Sequence, residues 1–421
     1  MSTVKTKIRT SQIFVPGGFP NVTYIPRDSH QLEARVRAAE DNLFKLVVVT
    51  GATKSGKTVL VHKIFPRTSS IWIDGGTISD EQSFWDSIIE NLSLFTYVEE
   101  STGNDYGGSI DTEASAEGNL FLAKGAAKVG GTLHGGFTSG KTQGRTVSPK
   151  IAAIKGLTEN HIPLIVDDFH YIDKTIQKSI VRALKAPIML GLPVIFIAIP
   201  NRKYDAVEVE REMTGRIENI EMPVWSTSEL SDIAYSGFTA LNAYISENTV
   251  DTLANAAYGS PFLMQEFCKE ICARSGITER DSALQKVPNA ISEIEIFSSI
   301  AEHSGRPMFE KLKRGPRARS DRKQRLLKSG TTTDIYGVVM EAFKTLQPGV
   351  ETIPYDALRS SIRNILAEDP PQKHEVSRVL DKIAEISYTD SSSTPVIDWQ
   401  SSDDVLTVTD PFFAFFLKWS H

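Results

Sequence analysis

The chain has 421 residues, of which 40% are hydrophobic and 23% are charged, and its formal net charge is −6. This composition predicts a folded globular protein of about two or three domains and gives no overall sign of nucleic-acid binding. It excludes a disulfide framework, because Cys268 and Cys272 are the only cysteines. The sequence shows no signal peptide, and its longest apolar stretch, 188–200, is too short to span a bilayer. We therefore expect a cytoplasmic protein without membrane insertion.

The first strong pattern follows a lead-in segment at residues 1–44. The stretch Leu46–Thr50 is apolar and β-branched, which is typical of a strand buried in a parallel sheet. Residues 51–58, GATKSGKT, match the phosphate-binding P-loop pattern G-x-x-x-x-G-K-[ST], and a helix can begin directly after them. A strand, a glycine-containing loop and a helix in this order direct backbone N–H groups and a helix N-terminus at a phosphate.

The P-loop pattern gives each of its residues an expected role. Lys57 is expected to reach the β- and γ-phosphates of ATP, and Thr58 is expected to offer its hydroxyl group to Mg²⁺. The expected nucleotide-binding residues of this segment are Gly51, Ala52, Thr53, Lys54, Ser55, Gly56, Lys57, Thr58 and Val59.

Strand and helix patterns alternate from residue 45 to 225. This alternation predicts an α/β P-loop domain, in which helices flank both faces of a parallel sheet. The expected strands are 46–50, 70–74, 163–167, 193–199 and 216–222, and the main helices are 80–92, capped by Asp80, and 174–190.

A Gly-, Ser- and Thr-rich insertion at 97–148 interrupts the alternation. A second match to the P-loop pattern, at 135–142, lies within it. This match has neither an apolar strand before it nor a helix after it, so we do not interpret it as a nucleotide site. The insertion is interpreted either as a hairpin or lid that orders on assembly, or as a disordered surface segment.

Two carboxylates at a strand end supply the second part of a nucleoside triphosphatase site. The strand at 163–167 ends in Asp167, and Asp168 follows it. Functional groups of a parallel sheet gather at the carboxyl ends of its strands. Asp167 is therefore expected to bind Mg²⁺, usually through water, and Asp168 to orient or deprotonate the attacking water.

Three further polar residues are candidates for catalytic contacts with the γ-phosphate. Asn201 and Arg202 follow the strand at 193–199, where either side chain could sense the γ-phosphate, or both could lie in a solvated loop. Arg216 precedes the last strand, where it could act on the nucleotide of a neighbouring subunit or form a surface salt bridge.

The segment 226–290 has a helical pattern and is interpreted as a lid domain. Ser260 fits the N-cap of one of its helices and Pro261 fits the first turn, and Pro261 is also kept as a candidate for contact with the nucleotide. Cys268 and Cys272 share one face of that helix, and we expect them in the core, because two thiols alone make a poor zinc site.

A basic linker at 291–333 precedes a C-terminal domain at 334–421. Three helix patterns followed by a two-stranded ribbon predict that this domain is a winged helix. The linker is interpreted as a site for the phosphates of duplex DNA, as a solvated segment, or as a docking segment for an acidic partner. The candidate nucleic-acid contacts are Lys313, Arg314, Arg317, Arg319, Arg322, Lys323 and Arg325.

These motifs resemble those of the AAA+ and STAND P-loop ATPases. The matching segments are GATKSGKT at 51–58, LIVDD at 164–168, the polar strand end at 200–202, GR at 215–216, and Gly259-Ser260-Pro261, which matches the G-x-P element of STAND lids. The run at 406–413 looks like the winged-helix end of archaeal-type ATPases related to origin-recognition initiators. The resemblance implies ATP and Mg²⁺ as cofactors and an ATPase activity that could be slow.

Two departures from the AAA+ pattern favour a switch over a processive motor. The second acid is Asp168 where those proteins usually carry a glutamate, and no arginine stands beside the residues 259–261. By this resemblance, the first hypothesis is an ATP-dependent switch of bacterial defence or regulation, which forms homo-oligomers or binds an effector protein according to nucleotide state. The alternatives are a DNA-associated ATPase, similar to initiators or transposon target selectors, and a scaffold that holds ATP without hydrolysing it.

Overall fold

The computed structural model describes residues 8–41, 44–94, 97–101, 142–146, 148–199, 215–288, 292–316, 322–389 and 395–420. The chain forms two compact units. The first, called the α/β unit, comprises Asp28–Thr50 and Lys57–Glu221. The second, called the helical unit, comprises Met1–Arg27, Gly51–Gly56 and Met222–His421. The domain boundaries drawn from the sequence within 226–421 stay a prediction.

A five-stranded parallel sheet forms the centre of the α/β unit in the described part of the chain. Its strands lie in the order β2-β5-β6-β1-β7. Strands β1 and β6 are buried along their whole length, as expected of apolar, β-branched segments in a sheet covered on both faces. The five strands are β1 (Leu46–Thr50), β2 (Ile71–Asp74), β5 (Leu164–Asp167), β6 (Val194–Ala198) and β7 (Ile217–Glu221).

The helices of the α/β unit follow the predicted alternation. Helix α4 begins after Asp80, whose carboxylate accepts a hydrogen bond from the Ser83 N–H at 2.8 Å, so the predicted N-cap is confirmed. The helices are α2 (Leu32–Arg37), α3 (Lys57–Ile64), α4 (Glu81–Leu92), α5 (Pro149–Asn160) and α6 (Lys174–Met189).

Two strands of the insertion are described, β3 (Tyr97–Ser101) and β4 (Thr142–Thr146). They pair antiparallel, with Tyr97 opposite Thr146 and Ser101 opposite Thr142. Residues 102–141, which connect the two strands, lie outside the described residues, and both interpretations of the insertion stay predictions. Residues 135–141 of the second P-loop match lie outside the described residues.

The helical unit is built mainly from helices that share one hydrophobic core. Aromatic rings of its middle and C-terminal helices meet there. Phe415 lies 5.2 Å from Phe267 and 5.7 Å from Phe297, measured between ring centroids. Its helices are α1 (Thr10–Ile13), α7 (Thr227–Ala240), α8 (Glu247–Ala256), α9 (Pro261–Arg274), α10 (Glu293–Ser304), α11 (Arg306–Arg314), α12 (Ile335–Leu346), α13 (Tyr355–Ile365), α14 (Lys373–Thr389) and α15 (Pro411–Trp419).

The short strands of the helical unit form three small sheets. Strands β12, β14 and β13 form an antiparallel sheet in that order, and helices α12, α13 and α14 precede its ribbon β13–β14. This is the order expected of a winged helix, with β12 as a third strand. The strands are β8 (Ala243–Tyr244), β9 (Gln285–Lys286), β10 (Arg325–Leu326), β11 (Thr332–Thr333), β12 (Thr352–Pro354), β13 (Ile397–Gln400) and β14 (Val405–Val408).

Cys268 and Cys272 lie on α9 with no exposed surface, as predicted. Burial raises the pKa of both thiols, that of Cys272 to about 12, which removes the reactive thiolate at neutral pH. We expect neither thiol of the native protein to react with iodoacetamide at pH 8, and both to react in guanidinium chloride. Mass spectrometry counts the adducts, and rapid labelling of the native protein would contradict the buried position.

None of the helices in the described residues is long and apolar enough to cross a membrane.

Candidate nucleotide site

The first residues of α3 lie close to the carboxyl end of β5 within the α/β unit. The Thr58 hydroxyl donates a hydrogen bond to the Asp167 carboxylate at 3.2 Å. Lys57 is buried, and this burial lowers the pKa of its ammonium to about 8, although the charges of Asp168 and Asp167 act in the opposite direction. The structure therefore brings together the lysine, hydroxyl and carboxylates that the sequence predicts for one site.

Three carboxylates gather at this edge of the sheet. Asp74 ends β2 and pairs in register with Asp167, and Asp168 follows directly. Burial raises the pKa of Asp167, against hydrogen bonds from Thr58 and from the Asp168 N–H. Burial first, and then the charge of Asp167, raise the pKa of Asp168 to about 6. A cation at this edge would relieve the mutual repulsion of these groups.

The structure adds three residues to the site that the sequence prediction did not name. Asp74 could have been found, because it ends an apolar strand as Asp167 does. Tyr171 lies near the carboxylates, and burial with the charge of Asp168 raises the pKa of its hydroxyl group to about 12. His170 is buried, and its Nδ1 lies 4.0 Å from a carboxylate oxygen of Asp168. No sequence pattern predicts that the rings of Tyr171 and His170 lie in this site.

The backbone of Asp168 has a left-handed conformation, with φ of 49°. Residues other than glycine seldom adopt this conformation, which costs about 1–3 kcal/mol. Strained backbone conformations of this kind are concentrated at functional sites. The turn that follows begins the 3₁₀ segment Phe169–Tyr171.

The P-loop segment Gly51–Gly56 packs within the helical unit. The indole N–H of Trp225 donates to the carbonyl oxygen of Ser55 at 2.8 Å. Gly51 has to be a glycine, because a Cβ atom there would lie 2.7 Å from the Cβ of Met222. Lys54 and Gly56 both have positive φ, at 57° and 96°. These contacts fix the conformation of the loop that presents its backbone amides.

Lys54 makes contacts that sequence reasoning missed. Its ammonium nitrogen lies 3.5 Å from the ring centroid of Phe412 and 5.0 Å from that of Phe262. Desolvation lowers the pKa of Lys54, and the charge of Asp410 opposes this shift. No local pattern signals these partners, because they follow the P-loop by more than 200 residues.

Pro261 has the structural role that its sequence context indicates. It occupies the first turn of α9, and the Ser260 hydroxyl caps that helix by accepting from the Leu263 N–H. A contact between Pro261 and nucleotide stays a prediction.

Arg216 lies at the edge of the sheet opposite the P-loop. Its carbonyl oxygen accepts from the Leu46 N–H at 2.9 Å, at the start of β1, whereas the P-loop follows Thr50 at the other end. The four residue-to-residue steps from Leu46 to Thr50 separate the two ends of β1 by roughly 13 Å. Arg216 therefore lies at the opposite end of β1 from Thr50, and a role on the nucleotide of a neighbouring subunit stays a prediction. Asn201 and Arg202 lie outside the described residues.

Several candidate nucleic-acid residues form ion pairs with acidic residues of the same chain. Arg322 pairs with Asp334 at 2.7 Å, and Arg325 is buried and pairs with Glu368 at 3.5 Å. Lys313 pairs with Glu341 at 2.7 Å.

An acidic partner thus balances the charge of each of these three side chains, and a role of the linker in binding nucleic acid stays a prediction. Arg314 and Lys323 are exposed, although Lys323 lies 4.0 Å from Glu368. Arg317 and Arg319 lie outside the described residues.

No protein-family model matches the sequence, and no curated protein matches it. Solved structures do match. A Walker-type ATPase of Pyrococcus abyssi is 13% identical, with 98% of each chain covered and a TM-score of 0.53. The ORC2 protein of Aeropyrum pernix is 12% identical over 96% of each chain, with a TM-score of 0.47. A STAND protein of Pyrococcus horikoshii is 13% identical over 93% of this chain and 42% of that chain, with a TM-score of 0.37.

The similarity to the Pyrococcus abyssi ATPase shows the fold of the chain. The parallel sheet, the P-loop motif between β1 and α3, and the carboxylates at the end of β5 are the features of the P-loop NTPase fold. The chain has the fold of a Walker-type ATPase over nearly its whole length. The resemblance to archaeal-type P-loop ATPases that the motifs predict is thus confirmed at the level of fold.

Proposed function

We propose that the protein binds ATP with Mg²⁺ and hydrolyses it slowly, as a molecular switch. The observation that carries this proposal is the hydrogen bond from Thr58 to Asp167 beside the buried Lys57. A hydroxyl and a carboxylate held together at the start of a P-loop helix are the pair that holds Mg²⁺ in P-loop NTPases.

The residues present fit a magnesium ion. Within the described residues no group of three or more His, Cys, Asp or Glu side chains forms a metal site by itself. Mg²⁺ suits this arrangement, because it usually binds through one or two carboxylates, water and substrate phosphates. Thr58 and Asp167 would hold it, and when bound it would neutralise charge on the β- and γ-phosphates.

The other residues act on the phosphates and on water. The amides of residues 51–56 and the Lys57 ammonium would bind the phosphate oxygens. Asp168 would orient the attacking water in line with the γ-phosphate and accept its proton as general base. The Asp168 carboxylate is half exposed and takes no part in the hydrogen bond between Thr58 and Asp167. This arrangement supports a role of Asp167 at the metal and of Asp168 at the attacking water.

The switch role rests on the identity of the second acid. Asp168 stands where a motor of the AAA+ type usually has a glutamate, which favours slow turnover and long-lived nucleotide states. ATP and ADP would then favour different assemblies of the chain, or different affinities for an effector protein.

Lys57→Ala is expected to abolish measurable ATP binding, because it removes the charge at the phosphates, while the fold is retained. Isothermal titration with ATP and Mg²⁺ measures the affinity, and mass determination in ATP and in ADP measures assembly. Lys63→Ala, in the last turn of the same helix, is the matched control and should bind as the wild type does. Wild-type protein that binds no ATP would overturn the proposal, and an unchanged mass in the two nucleotides would overturn the oligomeric switch.

Binding of duplex DNA is the second candidate, supported by the winged-helix order of elements and by the exposed Arg314 and Lys323. Charge reversal of both residues is expected to weaken binding, and affinity should fall steeply with salt. A fluorescence anisotropy titration with duplex DNA at two salt concentrations measures both. Binding that is absent or insensitive to salt would exclude this candidate, which the internal pairing of Arg322 and Arg325 already weakens.

A further inference from the structure

The P-loop residue Lys54 contacts the C-terminal part of the helical unit. Its ammonium nitrogen lies over the ring of Phe412, 3.5 Å from the centroid, and 5.0 Å from the centroid of Phe262. The two rings pack edge-on against each other, with centroids 5.0 Å apart. Lys54 is an exposed residue, but its charged end rests on the negative faces of buried or half-buried aromatic rings.

A carboxylate next to these rings also acts on Lys54. Asp410 is buried and caps α15 by accepting from the Phe413 N–H at 2.8 Å. The charges of Asp410 and Lys54 favour each other's ionised forms. The first turn of α15 therefore offers Lys54 both an aromatic face and an opposite charge.

The backbone at Lys54 needs such support. Its φ of 57° lies in the left-handed region, which is unfavourable for a lysine. The next residue is held from the same unit, because Trp225 donates to the Ser55 carbonyl oxygen. The helical unit thus fixes both the side chain and the backbone of the loop that precedes Lys57.

We propose that Asp410 and Phe412 are positioning residues for the P-loop, which hold Lys54 and thereby set the affinity of the protein for ATP. The inference rests on the proposed function, because ATP affinity is the quantity that they would set. It makes helix α15 part of the support of the P-loop.

A direct role of Lys54 predicts a different set of results. If Lys54 bound the phosphates itself, Lys54→Met would weaken ATP binding, but Asp410→Asn would strengthen it, because that change frees the ammonium and removes a negative charge near an anionic ligand. If Asp410 acts by holding Lys54, both changes weaken binding. The sign of the Asp410→Asn effect therefore separates the two roles. Asparagine also caps helices well, so α15 keeps its N-cap.

The experiment is a calorimetric titration of the full chain with ATP and Mg²⁺. Lys54→Met, Asp410→Asn and Phe412→Leu are each expected to weaken binding by about two- to fivefold, the range of an exposed cation–π contact. The double variant Lys54→Met/Asp410→Asn should be no weaker than the weaker single variant, since both remove the same interaction. Lys54→Arg, which keeps the charge over the ring, should restore wild-type affinity.

The outcomes distinguish this inference from the proposed function. If Lys57→Ala abolishes binding while Lys54→Met and Asp410→Asn bind as the wild type does, the positioning role is overturned and the proposed function stands. Tighter binding by Asp410→Asn also overturns it, in favour of direct contact. If the wild type binds no ATP, the proposed function and this inference fail together. Melting curves identify any variant that loses its fold. If one does, the comparison of ATP affinity between Lys54→Arg and Lys54→Met decides whether the charge over the rings positions the P-loop.

Discussion

Asp168→Asn is expected to lower the rate of ATP hydrolysis by about a hundredfold or more, the contribution of a positioned general base, while ATP affinity is retained. The reason is chemical, because the amide has the shape of the carboxylate but cannot accept the proton of the attacking water. Asp168 has no role in the Thr58–Asp167 hydrogen bond, so the proposed magnesium ligands are left intact. Steady-state phosphate release measures turnover, and calorimetry measures ATP affinity.

Asp173→Asn is the matched control for that experiment. Asp173 lies close in sequence and caps α6 by accepting from the Thr175 N–H at 2.8 Å, a role that asparagine also fills. The rate of ATP hydrolysis by Asp173→Asn should equal that of the wild type. Undiminished turnover in Asp168→Asn would remove Asp168 from the mechanism. ATP binding without turnover in the wild type would instead favour the non-hydrolysing scaffold.

Arg27→Ala is expected to destabilise the helical unit by about 3 kcal/mol, the cost of leaving a buried ion pair without one partner. The Arg27 guanidinium is buried and pairs with Glu229 at 2.7 Å. It also donates to the carbonyl oxygens of Pro223 and Val224 and stacks on Trp225 at 4.6 Å. Alanine would leave these acceptors without a donor.

Thermal denaturation measures this loss, and a fall of roughly 6–12 °C in the melting temperature of the helical unit is expected for its size. Arg27→Lys should fall between the wild type and alanine, since one ammonium cannot replace the planar, bidentate contact. Arg363→Ala, at an exposed arginine of α13, is the control and should change the melting temperature little. Equal melting temperatures for Arg27→Ala and Arg363→Ala would show that the ion pair adds no stability.

The parts of the fold that the sequence predicts are those specified by local patterns. The apolar strand β1, the P-loop and the start of α3 follow one another in the chain, so periodicity and loop composition suffice to predict them. Asp167 was predicted on the same ground, because it ends an apolar strand. The N-cap Asp80 and the burial of Cys268 and Cys272 likewise depend on spacing within one helix.

The parts that sequence reasoning missed depend on residues far apart in the chain. Lys54 lies near Asp410 only because α15 packs within the helical unit, and no sequence pattern around either residue predicts this proximity. Arg325 belongs to a basic run in the sequence, yet its side chain is buried beside Glu368 and Glu375 of a later segment. A charge count along the chain treats each residue as solvated, whereas packing decides which charges face water.

The C-terminal helix α15 affects the order in which the chain folds during synthesis. Seven of its nine residues are buried, and its phenylalanines complete the aromatic cluster with Phe267 and Phe297. The helical unit therefore cannot complete its core until α15 has left the ribosome. Residues 51–56 are translated well before α15, but they belong to the same unit, and Lys54 meets Phe412 only after α15 has emerged. A chain still being translated would thus have its sheet strands before it has a finished phosphate-binding loop.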